Sequence, residues 1–139
     1  VAGVLAGSVL AAPAQATPPQ GGLVRQEVAR FDIPWGITPG YDGPSTVIVQ
    51  QLVIPPGAST GWHTHPGPEY SIATGGNLVL RTSRNCRGIP FAPGGFMTLP
   101  STLVHEVVNM SPAFAWASVT YTVRPGAPDL VDAANPCAR

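Results

Sequence analysis

Hydrophobic positions in this chain recur mostly with a period of two, in runs too short for long helices. Residues 46–54 (TVIVQQLVI) are dense in Val and Ile and predict a buried strand, stopped by Pro55-Pro56-Gly57. Residues 114–123 predict a longer one. There Trp116, Ser118, Thr120 and Thr122 share one face, while Ala117, Val119, Tyr121 and Val123 share the other. Further strands are predicted at 23–31, at 96–99 (ended by Pro100) and at 104–109. Residues 63–74 and 77–82 predict two more, meeting in a hairpin turn at Gly75-Gly76. The stretches 32–45 and 83–95 and the tail from Pro125 are polar or broken by Gly and Pro, and are expected to be irregular. After residue 16 no amphipathic pattern lasts three helical turns. Short strands separated by Gly/Pro turns predict an all-β, antiparallel barrel of jelly-roll type.

The chain divides accordingly. Residues 1–12 are small and apolar, and Ala14-Gln15-Ala16 is a small-x-small cleavage pattern, so 1–16 reads as the remnant of a secretory signal peptide. The apolar stretch is shorter than the ~20 residues of a membrane span. Residues 17–22 (TPPQGG) read as a flexible lead-in, 23–127 as the barrel and 128–139 as a C-terminal tail. Export makes the two cysteines informative. Cys86 and Cys137 form an even pair with no CxxC, and in an oxidising compartment they are expected to bridge, tying the tail down.

Composition narrows the function. The net charge is zero and only 10% of residues are charged, so no electrostatic footprint for nucleic acid or an anionic membrane exists. All seven cations are arginine, which removes Schiff-base and lysine-base chemistry.

The three histidines all fall in one spaced pattern. His63 and His65 are two apart, so an extended strand points both to one side, their Cα atoms about 6.6 Å apart. Glu69 has the same parity beyond the bend Pro66-Gly67-Pro68, and His105 arrives from another strand. Buried without an ion, these groups would lose hydration and hydrogen bonds. A divalent cation reverses both penalties, and three imidazoles with one carboxylate make a coordination shell that leaves positions open.

Residues 57–76 (GASTGWHTHPGPEYSIATGG) resemble the first cupin motif at every defining position. Residues 94–109 (GGFMTLPSTLVHEVVN) resemble the second, with Thr102 where the family usually has Gly. A Gly there uses a positive φ that Thr resists. The resemblance implies a double-stranded β-helix barrel with His63, His65, Glu69 and His105 as metal ligands; three histidines and a glutamate suit Mn or Fe and also accept Ni, Co, Cu or Zn. It also implies oxygenase or dioxygenase chemistry, with isomerase, decarboxylase and oxalate-type activities behind it. A non-catalytic metal- or ligand-binding barrel is the alternative, favoured by the shortage of further acid–base groups. A metal-free structural domain is a third. Expected partners are a small-molecule ligand or substrate and a second copy pairing through edge strands, with no nucleic acid and no membrane once the signal is removed.

Other residues carry less. Trp62 and Tyr70 have the wrong parity for the site and are expected in core or surface packing. Glu106 should point away as a solvated or structural carboxylate. Arg81, Arg84 and Arg87 read as a solvated loop, because no Gly-rich phosphate cradle accompanies them. Gln51, Ser71, Met97 and Tyr121 are candidates to line the barrel.

Overall fold

The computed structural model describes residues 16–36 and 41–138. Ala16 apart, the segment read as a signal peptide lies outside the described residues. Among the described residues ten strands follow in order: β1 (Val24–Ile33), β2 (Ser45–Ile54), β3 (His63–Thr64), β4 (Glu69–Gly75), β5 (Leu78–Thr82), β6 (Asn85–Phe91), β7 (Phe96–Leu99), β8 (His105–Val108), β9 (Ala115–Val123) and β10 (Val131–Asp132). They build two antiparallel five-stranded sheets, β1-β2-β9-β4-β7 and β10-β3-β8-β5-β6. The all-β jelly roll predicted from the strand pattern is the architecture observed.

Alternation builds the core. Ile48, Leu52 and Ile54 of β2 face inward beside Ala117, Val119, Tyr121 and Val123 of β9. From the opposite sheet they meet Leu78 and Leu80 of β5, Phe91 of β6 and Val107 of β8. Burying each of the larger apolar side chains contributes about 1.5–3 kcal/mol. The two faces assigned to residues 114–123 hold: Ala117, Val119, Tyr121 and Val123 are buried, and Trp116 is exposed.

Four local expectations need correction. Gly75-Gly76 is not a hairpin turn, because β4 and β5 belong to different sheets and the glycines carry the chain from one to the other. Gly76 sits at φ +72°, and a Cβ there would press to 2.6 Å on Ala115. Composition marks a tight turn but not which sheet receives the chain. Residues 63–74 are not one strand, since the Pro66-Gly67-Pro68 bend splits them into β3 and β4. Residues 83–95 hold the edge strand β6, whose largely exposed side chains look like a loop in sequence and whose Pro90 is tolerated because an edge leaves ladder positions unused. The tail is not irregular throughout, since Val131 and Asp132 pair with Thr64 and His63 through backbone groups that side-chain patterns do not report.

Both ends of the described chain are held. Thr17 N donates to Ala133 O at 2.9 Å, and Gln20 and Ser59 exchange backbone hydrogen bonds of 3.0 and 3.1 Å. Cys86 and Cys137 are bridged across a separation of 51 residues, joining the start of β6 to the tail. Among the described residues no helix is long and apolar enough to cross a membrane.

Thr102 has φ +65°, the conformation usually left to Gly, and is the one non-glycine residue with positive φ among the described residues. Its N–H donates to His65 O at 2.9 Å, which fixes the turn ahead of β8 against the segment leaving β3. Thr102→Gly should relieve a left-handed penalty of about 1–2 kcal/mol, partly offset by unfolded-state entropy, and so raise stability by ~1 kcal/mol in urea unfolding. Replacing both Cys86 and Cys137 with Ser should lower it by about 2–4 kcal/mol, because the closed loop is long. Parallel urea titrations of oxidised wild type and the double variant measure that loss.

Candidate metal centre

Each of the four residues is placed by a different local device. His63 opens β3 and His105 opens β8, and the two are direct cross-strand partners with ring centroids 4.3 Å apart. His65 follows β3. Glu69 opens β4 in the other sheet, delivered by the Pro66-Gly67-Pro68 bend. That bend lies flat on β9. Any side chain on Gly67 would overlap the Thr122 carbonyl, and Thr122 N donates to Pro68 O at 3.1 Å. Four side chains from two sheets thus converge. All are buried, and one donor atom from each lies within 4.8 Å of the others.

The hydrogen bonds around them decide which atoms face inward. His63 Nδ1 donates to Gly61 O at 2.8 Å, His65 Nδ1 to Asp129 O at 2.6 Å, and His105 Nδ1 to Leu103 O at 2.9 Å. A carbonyl can only accept, so each Nδ1 carries the proton and each Nε2 turns a lone pair toward the centre. His63 Nε2 and His65 Nε2 stand 3.1 Å apart. Glu69 Oε1 accepts from the Ser71 hydroxyl. Its Oε2 lies 3.0 Å from His65 Nε2 and 3.2 Å from His105 Nε2, yet has no hydrogen-bond donor. Buried acceptors facing one another are costly unless something electropositive sits between them.

Burial pushes the Glu69 carboxyl up, and only hydrogen bonds and charge from His105 and His65 hold it well below the usual carboxylate range; with both Nε2 atoms unprotonated, that opposing role would fall to a cation. Burial, reinforced by the neighbouring His105 and His65, lowers His63 to about 3. An ionised carboxylate and a neutral imidazole are the forms that ligate a cation. Three oriented ring nitrogens, one carboxylate oxygen without a donor, and carbonyls fixing the rings from behind fit a divalent transition metal.

The remaining candidates separate cleanly. Ser71, Met97 and Tyr121 line the cavity beside the cluster, but Gln51 does not. The inward phase of β2 belongs to Gln50, and Gln51 pairs with Gln26 and Ser118 on the outward half. Trp62 is buried beneath the Arg81 guanidinium, 5.6 Å from its ring centroid. Glu106 points away from the cluster and pairs with Arg81 at 2.8 Å; burial raises its pKa and Arg81 opposes the rise. Arg81 therefore leaves the solvated set, while Arg84 stays exposed in the turn before β6 and Arg87 stays exposed on β6. Tyr70 packs beside Phe96, ring centroids 6.4 Å apart.

Three contributors were not foreseen. Thr60 and Arg25 line the same cavity, and the Asp129 carbonyl orients His65 from the tail. A backbone carbonyl leaves no mark in a residue pattern. The parity of Arg25 with the inward phase of β1 could have marked it, had the pairing of β1 with β2 been known.

Comparison with known proteins completes the assignment. No curated protein matches the chain. Among solved structures it is similar to a conserved protein with a double-stranded β-helix domain from Klebsiella pneumoniae (20% identity, 83% of this chain and 87% of that one, TM-score 0.57). It is also similar to a Cupin 2 conserved barrel domain protein from Salinispora arenicola (22%, 84% and 88%, TM-score 0.54). A recombinant oxalate oxidase in complex with glycolate matches over 61% of this chain and 45% of its own (22%, TM-score 0.53). At such identities the likeness speaks for the fold alone. The Cupin_2 family model, described as a cupin domain, matches residues 50–119, half of the chain and both arms of the cluster, and the chain belongs to that family.

Proposed function

We propose that this cupin is an exported metal-binding protein in which His63, His65, Glu69 and His105 hold one divalent transition metal (Mn, Fe, Ni, Co, Cu or Zn), and that it is a small metalloenzyme of oxygenase or dioxygenase type. The observation that carries the metal is the set of three Nε2 lone pairs, each enforced by a backbone carbonyl, converging with a carboxylate oxygen that lacks a donor. When bound, such a cation supplies Lewis acidity and coordination positions beyond the four protein ligands.

The chain's own residues supply the rest. Ser71 fixes one Glu69 oxygen and leaves the other free to ligate. Leu52, Phe91, Met97, Val107 and Val119 wall the cavity and exclude water, which strengthens every electrostatic contact inside. The Tyr121 ring stacks on His65 with centroids 4.1 Å apart. Burial raises the phenol pKa, so Tyr121 keeps its proton at neutral pH and can donate but not act as a base. The Cys86–Cys137 bridge supports export to an oxidising compartment.

One observation favours a second reading, a barrel that binds a ligand without turning it over. Apart from the cluster, Arg25 and Tyr121, the described residues lining the cavity carry no ionisable group.

Elemental analysis of protein purified without added metal should find close to one equivalent of a transition metal. The His63→Ala, His65→Ala variant should lose it, with a stability deficit of about 2.7 kcal/mol if free metal is a hundred times its Kd. Unchanged metal content would reject the ligand assignment. Oxygen uptake with the metal restored, across catechols, small diketones, thiols and carboxylic acids, separates enzyme from binder. Turnover abolished by His105→Ala is expected for the enzyme, and silence across the panel supports the binder.

A further inference from the structure

Register fixes which side chains share the outer face of the sheet β1-β2-β9-β4-β7. Gln26, Gln51, Ser118, Ile72 and Phe96 form one row across all five strands. Val24 and Trp116 lie in the row on one side of it, Thr120 and Tyr70 in the row on the other, with Phe31 further along β1. The face is uncharged among the described residues. The charged residues of these strands, Arg25, Glu27, Arg30 and Asp32 of β1 and Glu69 of β4, all take inward positions. Yet Phe96 is 62% exposed, Val24 54%, Phe31 49%, Ile72 45% and Trp116 43%. Apolar side chains exposed singly need no explanation, but a contiguous uncharged face displaying three such rings does. The outer face of the other sheet differs in kind, since Arg81 and Glu106 pair across it at 2.8 Å.

The sheet edges are blunted by the devices that keep strands from pairing between molecules. β1 is bulged between Glu27 and Ala29, β7 has four residues and β10 two, and β6 carries Pro90. What remains for a partner is the face. Five strands about 4.8 Å apart and about 25 Å long span roughly 600 Å² before side-chain relief is counted, against the ~800 Å² per partner of a standard interface. The described N-terminal segment does not cover it, because Ala16 and Gln20 bridge to Ala134 and Ser59 beside the other sheet. A flat surface without cations offers nothing to an anionic lipid and no groove to a helix. Another sheet is its natural complement, since two sheets pack face to face about 10 Å apart. A second copy brings such a sheet, and with no charge on either face the contact has no like-charge repulsion to overcome.

We propose that a second copy of this chain docks on this face, sheet against sheet about a two-fold axis, burying Ile72, Phe96 and Trp116 between the copies. Interface cores are depleted of charge and enriched in aromatic side chains, which is the composition of this face. Its polar members, Gln26, Gln51 and Ser118, are neutral and can hydrogen-bond to their counterparts across the axis. The docking surface lies outside the barrel and uses none of the four cluster residues, so it stands whether or not a metal is held.

Sedimentation equilibrium of the full chain across a dilution series should reveal a monomer–dimer equilibrium. Ile72→Lys and Ser118→Lys should each raise the dimer Kd at least tenfold, because a charge on the central row would be stranded in an apolar contact and face its symmetry mate. Ile89→Lys, at an exposed position on edge strand β6, should leave the Kd within twofold. Hydroxyl-radical footprinting of the wild type covers a variant that fails to fold. Association should protect Ile72, Phe96 and Trp116 and leave Ile89 and Met110 labelled as in the monomer. A wild type that stays monomeric throughout, a Kd unmoved by both central-row variants, or protection at Ile89 in place of the face residues would each overturn the proposal. Flotation of such a monomer with phosphatidylcholine vesicles would give the face to a lipid surface instead.

Discussion

Three backbone carbonyls, those of Gly61, Leu103 and Asp129, set the chemistry of this barrel by taking the Nδ1 protons of its histidines. Each carbonyl leaves its imidazole one inward-facing option, an unprotonated Nε2. Once three such nitrogens and an ionised Glu69 oxygen share one small volume, the protein carries a concentrated negative potential in a medium that cannot screen it. Core packing alone does not call for this arrangement. A hydrophobic replacement of similar volume would avoid the desolvation, so the cluster costs stability that packing does not require.

The fold makes that concentration achievable by crossing between sheets within a few residues. The bend at Pro66-Gly67-Pro68 takes the chain from β3 in one sheet to β4 in the other, so residues four and six positions apart in sequence meet from opposite walls. The β3–β8 pairing brings His105 opposite His63 from forty-two residues away. Thr102 shows how much weight falls on these junctions. A β-branched residue is held in a left-handed conformation so that its N–H can tie the turn before β8 to the His65 carbonyl.

Much of this was legible in the residues. The period-two alternation of β2 and β9 marked the core faces, and the spacing of three histidines and one glutamate marked the cluster, because both are side-chain patterns. What escaped were properties carried by the main chain or by pairing. Edge strand β6 exposes most of its side chains and so reads as loop. The two-residue strand β10 exists only as hydrogen bonds. Gly75-Gly76 reads as a hairpin because glycine reports backbone freedom without saying which neighbour the next strand will find. Gln51 was assigned to the interior for want of strand phase, and one residue of error is enough to turn a side chain outward. Arg25 went unnoticed because its inward direction follows from register with β2.

The Asp129 carbonyl has one more implication. His65 receives its orienting acceptor from a residue sixty-four positions later, in a tail secured by β10 and by the bridge to Cys86. A chain emerging from its N-terminus can pair β2, β4 and β9 before Asp129 has docked, but His65 cannot acquire its final tautomer until that segment is in place. Maturation of the four-residue cluster is therefore coupled to docking of the Asp129 segment and closure of the covalent clasp beyond it, and copies in which that segment is still loose would hold a barrel wall with one imidazole free to turn.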